Sequence, residues 1–301
     1  MGQSGMKCFG AYGESLESTL DLGLFLPRSG AEAATTRLID GGIPDAPDIL
    51  DEVLTLEVHG RRVRGTCTSA AEMFSRAQSL LVEVSDTCRF AWRDGHADLA
   101  VDILPGVSPE RAVFWFLHIV LPFYLSRNRS LLFLHAGCVA FDGSAIAFAA
   151  STGTGKSSLV AACLDRGFDL LTDDKLAIQP EADPIVALPS HPHCRDYRAE
   201  EDLGRPVVQF GEKALPLAAL YVLERVRGLP APVLEDVTGA RRLQVVLPHL
   251  LYHFSGDALN PARELAVVVH QVPVHTLKVP DDLRLLPASV DLLLAEMLSR
   301  A

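Results

Sequence analysis

The stretch FAASTGTGKSSLV, residues 148–160, crowds small and hydroxylated residues ahead of a single lysine. Bare backbone of that kind around one positive charge suits a phosphate. The phosphate-loop pattern reads G-x-x-x-x-G-K-[ST]; here Ala150 stands in the first glycine's place and Ser151, Thr152, Gly153, Thr154, Gly155, Lys156 and Ser157 follow. Gly153 and Gly155 can adopt positive φ and let backbone N–H groups close on phosphate oxygens. A helix starting at Ser157 aims its N-terminal dipole at the same anion. Lys156 then reaches the β- and γ-phosphates, and the Ser157 hydroxyl ligates Mg²⁺. The set expected to hold ATP is Ser151, Thr152, Gly153, Thr154, Gly155, Lys156, Ser157 and Ser158. A glycine-rich turn with no ligand is the competing reading. A buried strand before the loop and a helix closing at Gly167 after it favour the nucleotide.

Asp173 and Asp174 end an apolar strand only 17 and 18 residues after Lys156. A strand–loop–helix–strand unit places them beside the loop, at the carboxyl edge of the sheet. One carboxylate beside Mg²⁺ and a second that takes a hydroxyl proton are what phosphoryl transfer needs. We assign the base to Asp174 and the metal to Asp173, the reverse being equally consistent with the sequence. His135 lies in the strand that a hairpin turn at Asp142-Gly143 folds back along the strand feeding the loop, so it falls near the phosphate end. A lone histidine in an apolar strand is more often a satisfied core residue, and spacing alone leaves its role open.

The elements that must position these residues differ along the chain. Residues 14–104 read as short strands bounded by turn residues (LTLEVHG, RRVRGTCTS, LLVEVS, CRFAWRDG, ADLAVDIL), which gives a mostly antiparallel N-terminal β unit over 1–104. The segment SPERAVFWFLHIVLPFYLSRN opens with a capping-box spacing, Ser108 to Arg111, with Pro109 at N1 and Glu110 beside it, and continues as a buried helix under the next sheet. Its apolar run, 112–125, is too short to span a bilayer. Residues 105–301 form the catalytic domain: two buried strands in a hairpin, loop and helix, the strand ending in two aspartates, then further strands (PIVALPS, LAALYVLER, ELAVVVHQVPVHTLKV) and a closing amphipathic helix. The class is α/β (α+β).

The formal charge of −11 and the lack of any basic run argue against nucleic acid as a partner. Six scattered cysteines without a CxxC pair, and an N-terminus without an apolar core, point to a reduced, cytoplasmic setting. The HPHC segment (His191, His193, Cys194) lacks the second ligand pair that zinc takes and reads as a polar loop. His253, His270 and His275 read as structural, and Arg241-Arg242 as a surface pair.

Residues 134–178, LHAGCVAFDGSAIAFAASTGTGKSSLVAACLDRGFDLLTDDKLAI, resemble the catalytic core of the HPr kinase/phosphorylase family, above all the HPr-kinase-related proteins of peptide-tailoring gene clusters. The resemblance implies a phosphoenolpyruvate-carboxykinase-like P-loop kinase domain. It implies that Lys156 and Ser157 hold triphosphate and Mg²⁺, that the aspartates supply metal ligand and base, and that His135 faces the phosphate. Arg195 falls where a substrate- or phosphate-facing arginine is expected, and the resemblance implies a homo-oligomer. The glycine-rich signature by which HPr kinases hold their protein substrate has no counterpart here, which counts against HPr as acceptor. The expectation is an ATP- and Mg²⁺-dependent kinase acting on a hydroxyl, first on Ser or Thr of a peptide or protein. A small-molecule hydroxyl and a nucleotide sensor without transfer are the alternatives. Residues 1–104 are expected to choose the substrate.

Overall fold

A computed structural model describes residues 8–31, 33–43, 50–68, 79–195, 201–252 and 261–300. Residues 1–7 and His253 lie outside the described residues. The chain divides into two units, one of Met1–Ser130 with Ala199–Leu203, the other of Leu131–Arg198 with Gly204–Ala301. Among the described residues no helix is long and apolar enough to cross a membrane.

The first unit holds β1 (Cys8–Ala11), β2 (Glu14–Ser18), β3 (Thr36–Asp40), β4 (Leu50–Val58), β5 (Arg61–Thr68), β6 (Ser79–Val84), β7 (Cys88–Arg93) and β8 (Asp98–Ile103). They form one sheet in the order β1-β2-β3-β8-β7-β6-β5-β4. All neighbours are antiparallel except β2–β3 and β3–β8. The period-two pattern is cleanest in β6 and β7. There Leu80, Val82 and Val84 lie opposite Trp92, Phe90 and Cys88, all of them buried.

The apolar run over 112–125 is helical as expected, but it is broken in type: α1 (Pro109–Trp115), a π-helical turn (Phe116–Val120) and α2 (Leu121–Asn128). Pro122 has no N–H to donate to the carbonyl four residues back, and the wider turn lies just ahead of it. Ser108 is the N-cap and Pro109 follows it, yet the Ser108 side chain makes no cap bond to the helix backbone. The capping-box expectation is therefore corrected. The helix packs on the preceding sheet, Phe116 against Phe90 and both Phe123 and Tyr124 against Trp92. The helix thus falls in the first unit, which runs to Ser130.

The second unit contains β9 (Leu132–Phe141), β10 (Ser144–Ala149), α3 (Lys156–Leu164), β11 (Asp169–Thr172), β12 (Lys175–Gln179), β13 (Val186–Leu188), β14 (His193–Cys194), β15 (Arg205–Pro206), β16 (Leu215–Val226), β17 (Val233–Val237), α4 (Arg241–Val246), α5 (Pro261–Gln271), β18 (Val274–Pro280) and α6 (Leu286–Arg300). β9 and β10 form the hairpin, with Asp142 and Gly143 both at positive φ as its turn requires. β9 is long enough for two neighbours on its other edge: β12 beside its first half and β11 beside its second. β10 pairs parallel with β16, and β16 pairs parallel with β18. Because β16 also pairs with β13, and β13 with β12, the strands β9-β10-β16-β13-β12 close a ring.

Alternation along β10 builds two cores. Ala145, Ala147 and Ala149 face one with Leu265, Val268 and Val269 of α5. Ile146, Phe148 and Ala150 face the other with Leu159, Val160 and Cys163 of α3 and Leu293 of α6. The segment ELAVVVHQ, read as strand, is the body of α5. Leu265, Val268 and Val269 fall at i, i+3 and i+4 and are buried, whereas Val267 is exposed, so the helical period overrides the β-branched composition. The fold is mixed α/β with large sheets and few helices.

Candidate active site

The loop after β10 leaves the sheet where the parallel pair β10–β16 ends. Gly153 and Gly155 have φ of +84° and +108°, values that a side chain would strain. The Thr154 N–H donates to the Ser151 carbonyl at 3.1 Å, which tightens the turn. α3 then begins at Lys156 with Gly155 as its N-cap, so the first-turn N–H groups of a nine-residue helix open toward the loop.

The Lys156 side chain is buried. It passes Gly137 of β9, where an added Cβ would lie 3.6 Å from Lys156 Cγ and 2.6 Å from Val160 Cγ2. Its Nζ donates 2.6 Å to the backbone carbonyl of Asp173 and 3.5 Å to Asp174 Oδ1. β11 ends at Thr172, which delivers both aspartates to that ammonium.

The two carboxylates occupy different environments. Asp173 is 2% exposed, and its Oδ2 accepts the Arg195 N–H at 2.7 Å. Burial pushes its carboxyl up, against the opposing pull of Lys156, the Arg195 N–H and the Ser157 hydroxyl. Oδ1 is buried and has no hydrogen-bond partner among the described residues. The Asp174 side chain is 32% exposed and is ringed by donors. His135 Nδ1 lies 3.2 Å from Oδ1, and the Lys175 Nζ donates to Oδ2 at 3.3 Å. Lys175 and His135 sit directly opposite each other in the β12–β9 ladder, so register alone brings both to one carboxylate.

Burial lowers His135 to about 4, with the Asp174 charge opposing the shift. At neutral pH the ring is therefore uncharged. Burial likewise lowers Lys175, opposed by Asp174.

An ATP-bound Mg²⁺ fits this donor set. Among the described residues no group of three His, Cys, Asp or Glu side chains could hold a metal ion. Mg²⁺ at a nucleotide needs less, because phosphates and water supply most of its octahedron. Asp173, with a buried oxygen lacking a partner and the Ser157 hydroxyl beside it, supplies protein oxygens of the right kind.

No family model and no curated protein matches the chain. Among solved structures, the HPr(Ser) kinase/phosphatase from Coxiella burnetii is similar over 56% of this chain and 99% of that one, at 14% identity and a TM-score of 0.33. A likeness that slight carries no argument about this chain, and the site stands on its own geometry.

That geometry brings together Lys156, Ser157, Asp173, Asp174 and His135, and it adds Arg195 through its backbone N–H. The HPHC segment is not the loop expected: His193 and Cys194 form β14, paired with β15, and the His191 and His193 rings meet at 5.6 Å. Of the expected surface pair, Arg241 is exposed, whereas Arg242 is half-buried and donates to the carbonyls of Val237, Val269 and His270. His275 lies 2.8 Å from Asp236 and stacks on Tyr221, which fits its structural reading.

Sequence reasoning missed four residues. Lys175 follows the aspartates directly, and strand parity beside His135 was the available signal. Gly137 sits inside a strand, where glycine commonly marks a close approach. Burial lowers His249, with the Lys156 charge adding to the shift, and nothing local announced it. Arg225, on β16, reaches the loop from a segment about seventy residues away in sequence.

Proposed function

We propose that the chain is an ATP- and Mg²⁺-dependent phosphotransferase that moves the γ-phosphoryl group to a hydroxyl, that of Ser or Thr in a peptide or protein. The observation that carries this reading is the Lys156 ammonium touching both aspartates at the mouth of a glycine loop on a helix N-terminus. Loop amides and Lys156 hold the triphosphate, and Lys156 exchanges the Asp173 carbonyl for phosphate oxygens as nucleotide enters. Asp173 and Ser157 hold Mg²⁺, which neutralises charge on the phosphates when bound.

Burial supports one division of roles between the aspartates. Asp173 is enclosed and suited to a cation, whereas Asp174 is partly open and positioned to meet an acceptor. Asp174 takes the proton of the acceptor hydroxyl as its oxygen bonds phosphorus and the β–γ bridging bond breaks, releasing ADP. His135 and Lys175 hold Asp174 in place. The phosphoenolpyruvate-carboxykinase-like topology implied by the sequence resemblance belongs to this proposal, as does acceptor selection by the first unit.

The test is incubation of the purified chain with Mg²⁺-ATP and two acceptor pools, Ser/Thr peptides and hydroxylated metabolites, followed by mass spectrometry. A phosphate-sized gain on peptides that vanishes in Asp174→Asn supports the proposal. A gain confined to metabolites moves the acceptor class, and transfer undiminished in Asp174→Asn removes Asp174 as base.

A further inference from the structure

β16 continues past the end of its neighbour. β10 stops at Ala149, opposite Val222, and β16 runs on to Val226. On the face that carries α3, β16 presents Tyr221, Leu223 and then Arg225 at the period of two. Tyr221 and Leu223 are buried with Phe148, Ala150 and Leu159. Arg225 is the first residue of that row beyond the core, level with the phosphate loop. Its Nη2 lies 4.0 Å from the point where a Cβ on Gly155 would sit. Its Nε lies 3.2 Å from Asp281 Oδ1. Asp281 is itself tied to β16, its N–H donating to the Val226 carbonyl at 3.2 Å.

An ion pair with both side chains 38% exposed adds little to stability. Its geometry serves something else. The Nε side is anchored by Asp281, and the two Nη groups of the guanidinium fork are left for a ligand, with Gly155 close by. A fork of this kind takes phosphate oxygens in pairs, which a lysine does not.

We infer that Arg225 is a second nucleotide-binding cation, contacting the polyphosphate of ATP from the β16 side of the loop, with Asp281 as its brace. The inference rests on the nucleotide-binding reading above and adds a residue to it. Titration calorimetry on the full chain with Mg²⁺-ATP, and with adenosine as a phosphate-free probe, tests it. Arg225→Met is expected to bind Mg²⁺-ATP about tenfold more weakly and adenosine as before, with the ligand-free melting temperature unchanged. Asp281→Asn gives a smaller loss in the same direction. If Arg225→Met lowers the ligand-free melting temperature, Arg225→Gln is titrated in its place. Mg²⁺-ATP affinity equal to wild type, or an equal loss for adenosine, overturns the inference. Failure of the wild type itself to bind Mg²⁺-ATP overturns the nucleotide reading instead, so the two failures are distinct.

Discussion

The Lys156 ammonium donates a 2.6 Å hydrogen bond to the backbone carbonyl of Asp173, seventeen residues further along the chain. This bond ties the start of α3 to the end of β11 and holds the loop's cation against both candidate carboxylates. Lys156→Ala is expected to remove nucleotide binding, because a helix N-terminus alone is a weak site for a triphosphate. Asp174→Asn should bind Mg²⁺-ATP within about threefold of wild type and lose transfer by about 10²-fold or more, the usual scale of general-base removal. Calorimetry and a turnover assay separate the two. Normal transfer by either variant would sink the assignment.

Asp173 provides a contrasting case. Its Oδ1 is buried without a hydrogen-bond partner among the described residues, and under the proposed function a cation would complete it. Asp173→Asn is expected to weaken Mg²⁺-ATP binding and to flatten the Mg²⁺ dependence of nucleotide affinity. Equal affinities of the variant and the wild type across a Mg²⁺ titration would rule this role out.

At Gly137 the constraint is room and not backbone angle. A methyl there meets Val160 Cγ2 at 2.6 Å and the Asp173 carbonyl at 3.2 Å. Overpacking of a filled core costs roughly 1–3 kcal/mol. Gly137→Ala should therefore lower the denaturant midpoint and also weaken nucleotide binding, since α3 carries both Val160 and Lys156. Unchanged stability would show that α3 shifts freely, contrary to the packing described.

Lys175 is buried and its Nζ donates to Asp174 Oδ2, and under the proposed function that contact would remain when Lys156 turns to phosphate. Lys175→Met is expected to lower kcat by about 10²-fold through misplacement of the base while leaving KM for ATP nearly unchanged. Lys175→Arg should restore part of the loss. A parallel fall in melting temperature with kcat intact would reduce the residue to a structural ion pair.

Acid should destabilise the fold through its histidines. Burial lowers His135 from 6.5 to about 4 and His191 from 6.5 to about 3, so the folded chain keeps both neutral where the unfolded chain is protonated. Between those values the unfolded state binds more protons, and stability therefore rises with pH up to about 6.5 and falls on acidification below it. His191→Gln is expected to flatten the slope of melting temperature against pH from 6.5 down to 4. A slope as steep as that of the wild type would exclude His191 as a contributor.

Much of the site was legible because its signals are local. A glycine-rich loop, its lysine and the strand-ending aspartates lie within twenty-five residues, and short-range geometry places them. The Asp142-Gly143 turn set the hairpin register, and that register carried His135 to the loop without any long-range information. The strand-like reading of α5 failed where composition and period disagreed and burial settled the matter.

Sequence by itself determined which residue types stand around a phosphate and in what order they arrive. Tertiary structure alone decided which carboxylate is enclosed and which is open, because desolvation depends on what packs over a group and not on its neighbours in the chain. It likewise decided that β12 sets Lys175 opposite His135, and that β16, paired with β10 across about seventy residues of sequence, carries Arg225 to Gly155. Strand pairing over that separation closes only when the whole ring closes, and no local stretch of sequence encodes it.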